Sequence, residues 1–254
     1  MAAFVLTQPL GRVDSMRRGL QAAGHSCVCL PFSRLHALAD GLSALARLMP
    51  GDQDRIIFVS PASVAIAASV LGSAWHGVSG VCAIGAGTAE ALFEHGVLAS
   101  GDRPIMPDRP PYDADSLLPL VMTEAVGSVA VIKGEGGRRD WLDSLRSRGI
   151  AVSEFVIYGS RPVTPDAAEL PTLAQWLAGP GLVVSLLSSR AAIEALAAWP
   201  PIAPSRADLF ARPALAVHPN VAEKAREVGF TDVRLLGTGQ SLLAGALALA
   251  DASA

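Results

Sequence analysis

Short runs of apolar, often β-branched residues recur along this chain, and a longer amphipathic stretch usually follows each. Runs at 4–6, 26–30, 56–59, 80–84, 129–132, 152–158, 182–186 and 215–217 have the length and composition of strands. Helical spacing appears at 13–23, 62–71, 88–95, 139–148, 190–199, 221–228 and 240–251. A strand written as a continuous apolar run is covered on both faces, and an intervening helix supplies the crossover that parallel pairing requires. The pattern predicts an α/β fold whose parallel sheets are flanked by helices.

The units also repeat. Residues 4–31 and 129–158 share the order strand, polar loop, helix, glycine, strand, with Gly24 and Gly149 before the second strands. Residues 55–71 resemble 181–197, each a strand, a serine-containing turn and an alanine-rich helix. Residues 81–96 resemble 215–229, each a strand, a turn, a helix with an Ala-Glu pair, and a glycine. Three unit types, each present twice, predict two similar α/β domains.

Composition narrows the function classes. The chain has 254 residues, 51% hydrophobic and 17% charged, which is a globular balance with room for two domains. Aromatic residues are 5%, so aliphatic side chains and alanine must fill the cores. The net charge of −3, with no basic run of five residues, argues against a nucleic-acid partner. A polyanionic small molecule remains compatible, because a local positive field can form in a mildly acidic protein. Cys27, Cys29 and Cys82 have no zinc-site spacing and read as packed or edge thiols. Thr7, Gln8 and Pro9 interrupt the apolar start too early for a secretory leader, and no apolar run approaches the ~18–20 residues of a membrane helix. The expectation is a soluble cytoplasmic protein without a membrane partner. Proline-rich stretches at 102–113 (with Pro107, Pro110, Pro111 and Tyr112) and 161–171, and the group Pro200, Pro201 and Pro204, are predicted as loops.

Six strands end in small or polar residues that open a helix: Thr7-Gln8-Pro9, Ser60-Pro61-Ala62-Ser63, Gly85-Ala86-Gly87-Thr88, Gly134-Glu135-Gly136-Gly137, Ser188-Ser189 and His218-Pro219-Asn220. Ser60 suits an N-cap, and Pro61 the first helical position. In parallel sheets all these turns lie at the carboxyl ends of strands, the edge where open α/β sheets bind ligands. Each helix start offers free N–H groups and about half a positive charge, which suits carboxylates or phosphates. Taken one at a time, each Ser or Thr also reads as an ordinary cap.

Nucleotide fingerprints fail. Arg139 stands where a third glycine belongs after Gly134 and Gly136, and Glu90 where one belongs after Gly85 and Gly87; no P-loop Lys-Ser/Thr pair exists. There is no G-x-S-x-G, and His25, His36, His76, His95 and His218 show no metal-ligand spacing. Tyr158, one of two tyrosines, ends a strand beside Gly159-Ser160-Arg161, where its phenol can donate a proton to a leaving hydroxyl or simply pack as a strand aromatic.

These signatures in this order resemble the uroporphyrinogen-III synthase family. The resemblance runs through Thr7-Gln8-Pro9, Ile57-Phe58-Val59-Ser60-Pro61-Ala62-Ser63-Val64 and Ile84-Gly85-Ala86-Gly87-Thr88-Ala89-Glu90-Ala91-Leu92. It continues through Tyr112-Asp113-Ala114-Asp115-Ser116, Lys133-Gly134-Glu135-Gly136-Gly137-Arg138-Arg139-Asp140-Trp141-Leu142, Val156-Ile157-Tyr158 and Leu187-Ser188-Ser189-Arg190-Ala191. It closes on His218-Pro219-Asn220-Val221-Ala222-Glu223-Lys224-Ala225 and Gly229-Phe230.

The resemblance implies two domains joined by a two-stranded β ladder, with the active site in the cleft between them. One domain would comprise 1–32 plus 163–254, the other 36–155, with linking strands at about 29–35 and 156–162. It implies a lyase without cofactor or metal, acting as a monomer on hydroxymethylbilane, an acidic tetrapyrrole with eight carboxylates. The terminal hydroxyl leaves, ring D attacks through its substituted carbon, and a spiro intermediate recloses with that ring inverted. By position Tyr158 matches the tyrosine that helps the hydroxyl depart. Ser60, Thr88 and Ser188 match polar contacts, and Gly134 and Gly136 a loop whose backbone approaches the ligand. Thr7, Ala62, Gly85, Ser189, His218 and Asn220 complete the substrate-binding candidates. Arg12, Arg138, Arg139 and Arg161 are further carboxylate partners or solvated surface charges. Gln8 departs from a common arginine, and Asn220-Val221 from a threonine found in some members. A noncatalytic binding protein or sensor for an acidic metabolite on the same fold is the alternative.

Overall fold

The computed structural model describes residues 1–71, 75, 78–109, 111–122, 126–236 and 241–252; His76, Pro110 and Gln240 of the readings above lie outside them. The chain opens with β1 (Ala3–Leu6), α1 (Val13–Ala22), β2 (Ser26–Cys29) and β3 (Ser33–Ala37). There follow α2 (Ala39–Leu45), β4 (Arg55–Phe58), α3 (Pro61–Leu71), β5 (Val81–Ala83), α4 (Ala86–Glu94) and α5 (Ala114–Val121). Next come β6 (Ser128–Gly134), α6 (Asp140–Ser147), β7 (Ala151–Pro162), α7 (Leu170–Ala178), β8 (Val183–Leu187) and α8 (Arg190–Ala198). The chain closes with α9 (Arg206–Phe210), β9 (Ala214–Ala216), α10 (Pro219–Glu227), β10 (Val233–Leu235) and α11 (Leu242–Asp251). No helix among the described residues is long and apolar enough to cross a membrane.

Two compact units result. One comprises Met1–Leu35 with Arg161–Ala254; the other is His36–Ser160. The sheet of the first has the order β10-β9-β8-β1-β2, with parallel pairs throughout. Its inner strands β1, β8 and β9 are covered on both faces. Val5, Val28 and Leu187 face one apolar cluster with Ile193, Leu196 and Phe210, while Phe4, Leu6 and Leu186 face another with Leu20 and Ala246.

The sheet of the second unit has the order β3-β7-β6-β4-β5. β7, β6, β4 and β5 pair in parallel. Ile56, Phe58 and Ile132 pack with Val64 and Leu92 on one face, and Ile57, Val129 and Val131 with Trp141 and Leu142 on the other. β3 lies at the edge, and the Leu38 N–H donates to the Ile157 carbonyl at 2.9 Å.

The strand orders β2-β1-β8-β9 and β7-β6-β4-β5 correspond unit type by unit type, so the sequence repeat is a repeat of topology. Gly24 and Gly149 occupy the same place, ending α1 and α6 with φ of 83° and 81°, a region a side chain at Cβ disfavours.

The prolines are less disruptive than their density predicts. β7 runs on to Pro162, and 167–171 is helical, with Pro171 in the first turn of α7, where a missing N–H leaves no bond unmade. Pro200 and Pro201 likewise open a 3-10 helix, Pro200–Ser205, in place of the predicted loop. The described part of 102–113 carries no strand, only an isolated bridge from Ile105 to Cys82.

Candidate active site

In the second unit, parallel pairing puts the ends of β4, β5, β6 and β7 on one edge. Ser60 follows β4, Gly85 follows β5, Gly134 ends β6, and Tyr158 lies in the last third of β7. The register between β6 and β7 slips there: Lys133 faces Val156, but Gly134 faces Tyr158. Ile157 is the extra residue of a bulge. A bulge re-aims the side chains that follow it. Here it brings Ile157 and Tyr158, consecutive residues, into the same apolar cluster.

The phenol then crosses its neighbour strand. β6 lies between β7 and β4, and adjacent strands are about 4.8 Å apart, so a side chain from β7 reaches the end of β4 only by lying over β6. Gly134 makes the passage. A Cβ built there would stand 2.5 Å from Cε2 and Cζ of Tyr158. At the far side the Tyr158 hydroxyl is 3.0 Å from Ser60 Oγ.

Ser60 is the N-cap of α3. Its Oγ accepts from the Ser63 N–H at 3.0 Å, while Ser63 Oγ donates to the Ser60 carbonyl at 2.6 Å and accepts from the Ser60 N–H at 3.2 Å. This reciprocal arrangement satisfies helix-end donors that would otherwise lack partners. Ala62 and Thr88 are buried in the first turns of α3 and α4, and Gly136 is exposed with a φ of 73°. Gly85 is the N-cap of α4, and a Cβ there would meet Tyr112 Cβ at 2.7 Å. Both tyrosines of the chain therefore pack on strand-end glycines. Tyr112 and Ser63 stand in the sequence signatures but are given no role there; a tyrosine paired with a glycine at each of two strand ends was the available signal for the first.

In the first unit the candidates separate into inward and outward groups. Thr7 is buried and donates to the Leu186 carbonyl at 3.1 Å, and Gln8 Nε2 donates to the same oxygen at 3.3 Å. Gln8 Oε1 is buried without a hydrogen-bond partner among the described residues. Ser189 caps α8 by accepting from the Ala192 N–H at 3.4 Å, and Ser188 is half-buried beside it. His218 caps α10, its Nδ1 accepting from the Asn220 N–H at 3.2 Å, and the Asn220 side chain is exposed. Val221 packs in the core, so no hydrogen-bonding group is missing from the surface at that position. A cavity of about 330 Å³, lined by Met1, Gly24, His25, Leu182 and Ala250 among others, lies at the opposite, amino-terminal edge of this sheet.

Fixed charges cluster on the second unit. Lys133, almost fully buried, pairs with Glu154 at 3.4 Å, and Glu154 also binds Arg146 at 2.6 Å and Arg139 at 3.2 Å. Burial raises the Glu154 carboxyl, but the Arg146 hydrogen bond and the Lys133 and Arg139 charges outweigh it, leaving the group below its usual range. Arg138 is held by Asp115 at 2.8 Å and by Asp140. Arg161 is exposed, with no ion-pair partner among the described residues. Burial pushes the Cys27 thiol up to about 12 and Cys29 to about 11. No group of three metal-ligating side chains occurs among the described residues.

The family model for Uroporphyrinogen-III synthase HemD matches residues 14–235. The chain belongs to the uroporphyrinogen-III synthase family. Solved uroporphyrinogen-III synthases share the fold. A mutant enzyme from the extremely thermophilic bacterium Thermus thermophilus aligns at 18% identity and a TM-score of 0.51, covering 100% of this chain and 99% of that one. The enzyme from Helicobacter pylori 26695 aligns at 14% identity and a TM-score of 0.52, covering 98% and 99%. No match was found among curated proteins. As a uroporphyrinogen-III synthase the chain is a lyase-type enzyme that cyclises hydroxymethylbilane, and nothing found favours the noncatalytic alternative.

Proposed function

We propose that Tyr158 is the proton donor of this cyclisation and that the strand-end edges carrying it and the exposed helix starts receive the substrate. The phenol gives its proton to the terminal hydroxyl of hydroxymethylbilane as the carbon–oxygen bond breaks, releasing water. The bonding electrons leave with the oxygen, and the pyrrole nitrogens delocalise the cation that remains. The substituted carbon of ring D attacks it, the spiro intermediate opens and recloses, and the ring proton lost at the end returns to the phenolate. Atoms and charge balance, with water and uroporphyrinogen III as products.

The observation that supports this reading is the placement of Tyr158. It is a phenol carried by a bulge over Gly134, with its oxygen at a helix N-terminus. The remaining candidates, Ser188, Ser189, His218 and Asn220 in one unit and Gly85, Thr88 and Gly136 in the other, would act by position, holding carboxylates so that ring inversion outpaces simple closure. Thr7 follows β1 in the first unit, and Ala62 lies in the first turn of α3, after β4, in the second. Thr7 would act through the backbone it fixes, since its hydroxyl is engaged by Leu186.

We also propose a monomer in a reducing, cytoplasmic setting, with the two units serving as the two domains. The cysteines are unpaired, and the exposed large apolar residues among those described (Met1, Met49, Phe93 and Leu235) stand far apart in the chain, two of them outside any helix or strand. The deciding experiment supplies hydroxymethylbilane and separates the oxidised isomers. Type III is expected; exclusively type I would overturn the proposal. Tyr158→Phe should lower kcat with the fold retained, at a small cost in melting temperature for the lost Ser60 hydrogen bond.

A further inference from the structure

We infer that Ser60 is a positioning residue for the reaction: its hydroxyl donates to Tyr158 Oη and so leaves the phenol's own proton pointing at the substrate. The inference rests on Tyr158 being the proton donor.

The argument is an inventory of protons. Ser63 Oγ donates to the Ser60 carbonyl, so its proton is taken. Ser60 Oγ accepts the Ser63 N–H, which leaves its own proton to place. The Tyr158 oxygen at 3.0 Å is the one acceptor found for it among the described residues. If Tyr158 were the donor instead, the Ser60 proton would have no acceptor in a half-buried site, and the phenol would have none to give. Each arrangement leaves one proton without an acceptor in the protein: the first leaves that of the phenol, which the substrate hydroxyl can accept, and the second leaves that of Ser60, which has no use in the reaction.

The arrangement also acts during the reaction. Once the phenol has passed its proton on, the oxygen carries negative charge. A hydroxyl already polarised by a helix N–H, at the N-terminus of the 11-residue α3, faces that charge. Such a donor strengthens its bond as charge develops, and so acts on the transition state more than on the bound substrate. Ser60 is thus assigned to the phenol rather than to a substrate carboxylate.

The test is a double-mutant cycle on the full-length protein. Ser60→Gly removes the hydroxyl but keeps α3 capped to within a few tenths of a kcal/mol. It should lower kcat about ten- to a hundredfold, the range of a hydrogen bond to a charged group, with KM unchanged. Ser60→Thr, which keeps a hydroxyl and a cap, should recover most of the loss. In a Tyr158→Phe background Ser60→Gly should have no further effect. Losses that multiply in the double variant would overturn the inference while leaving Tyr158 as donor. A rise in KM alone would make Ser60 a substrate contact and overturn it too. Unchanged kcat in Tyr158→Phe would instead remove the donor reading on which it stands.

Discussion

The ring of Tyr158 lies against the backbone of Gly134 with no room for a methyl group between them. The close approach, not a special backbone angle, is what requires glycine. Gly134→Ala should therefore push the phenol off β6 and away from Ser60. We expect kcat to fall about as far as in Tyr158→Phe, with the fold retained. Near-normal turnover together with an unchanged circular dichroism spectrum would show that the ring need not lie there.

Ser63 separates capping from chemistry. Its side chain is fully buried and makes two hydrogen bonds to Ser60's backbone, but none to Tyr158. Ser63→Ala should destabilise the protein by about 1–2 kcal/mol. The Ser60 Oγ still has the backbone N–H of residue 63, so kcat of the folded fraction should hold. Urea titration and steady-state assays on the same preparation measure the two effects independently.

Glu154 predicts a pH dependence of stability. Its carboxyl is held below the ordinary value of 4.5, so the folded state favours the ionised form. The stabilisation is fully present above that value and is lost as pH falls through the lower, folded-state value. Glu154→Gln should abolish this part of the acid sensitivity. It also strands the buried Lys133 ammonium, and should cost about 3 kcal/mol at neutral pH. A variant as stable as the parent at pH 7, or one that keeps the parent's steep loss below pH 4.5, would contradict the assignment.

The thiols should be inert. With Cys27 and Cys82 raised to about 12 and Cys29 to about 11, chiefly by burial, almost no thiolate exists at pH 7. A thiol reagent should modify the native protein slowly and the urea-unfolded protein completely at three sites. Rapid reaction of Cys27 or Cys29 in the native state would show that β2 opens.

What could be read in advance follows from what is local. Strand runs, glycine helix ends and the twice-used unit types are written in contiguous residues, and the matching sheet orders bear them out. The serine cap on α3 was legible too. The β7 bulge was not, because Phe155, Val156, Ile157 and Tyr158 are all good strand formers and nothing marks which one is extra. The fates of Thr7 and Ser60 were equally hidden. Both are small hydroxyls at strand ends, yet one turns inward to Leu186 and the other reaches Tyr158. The difference depends on the register of strands more than ninety residues away. α5 was overlooked although Asp113 caps it by accepting from the Ser116 N–H, a signal the Asp-Ala-Asp-Ser spelling carries.

The second unit is an insertion in the first, and this fixes an order of events during synthesis. All of His36–Ser160 is synthesised before β8, the partner that Ala3–Leu6 requires along its other side. At about 5–20 residues per second, Phe4, Val5 and Leu6 wait on the order of ten to forty seconds with one strand edge uncovered. That nascent edge, rather than any surface of the finished enzyme, is where aggregation during expression should begin.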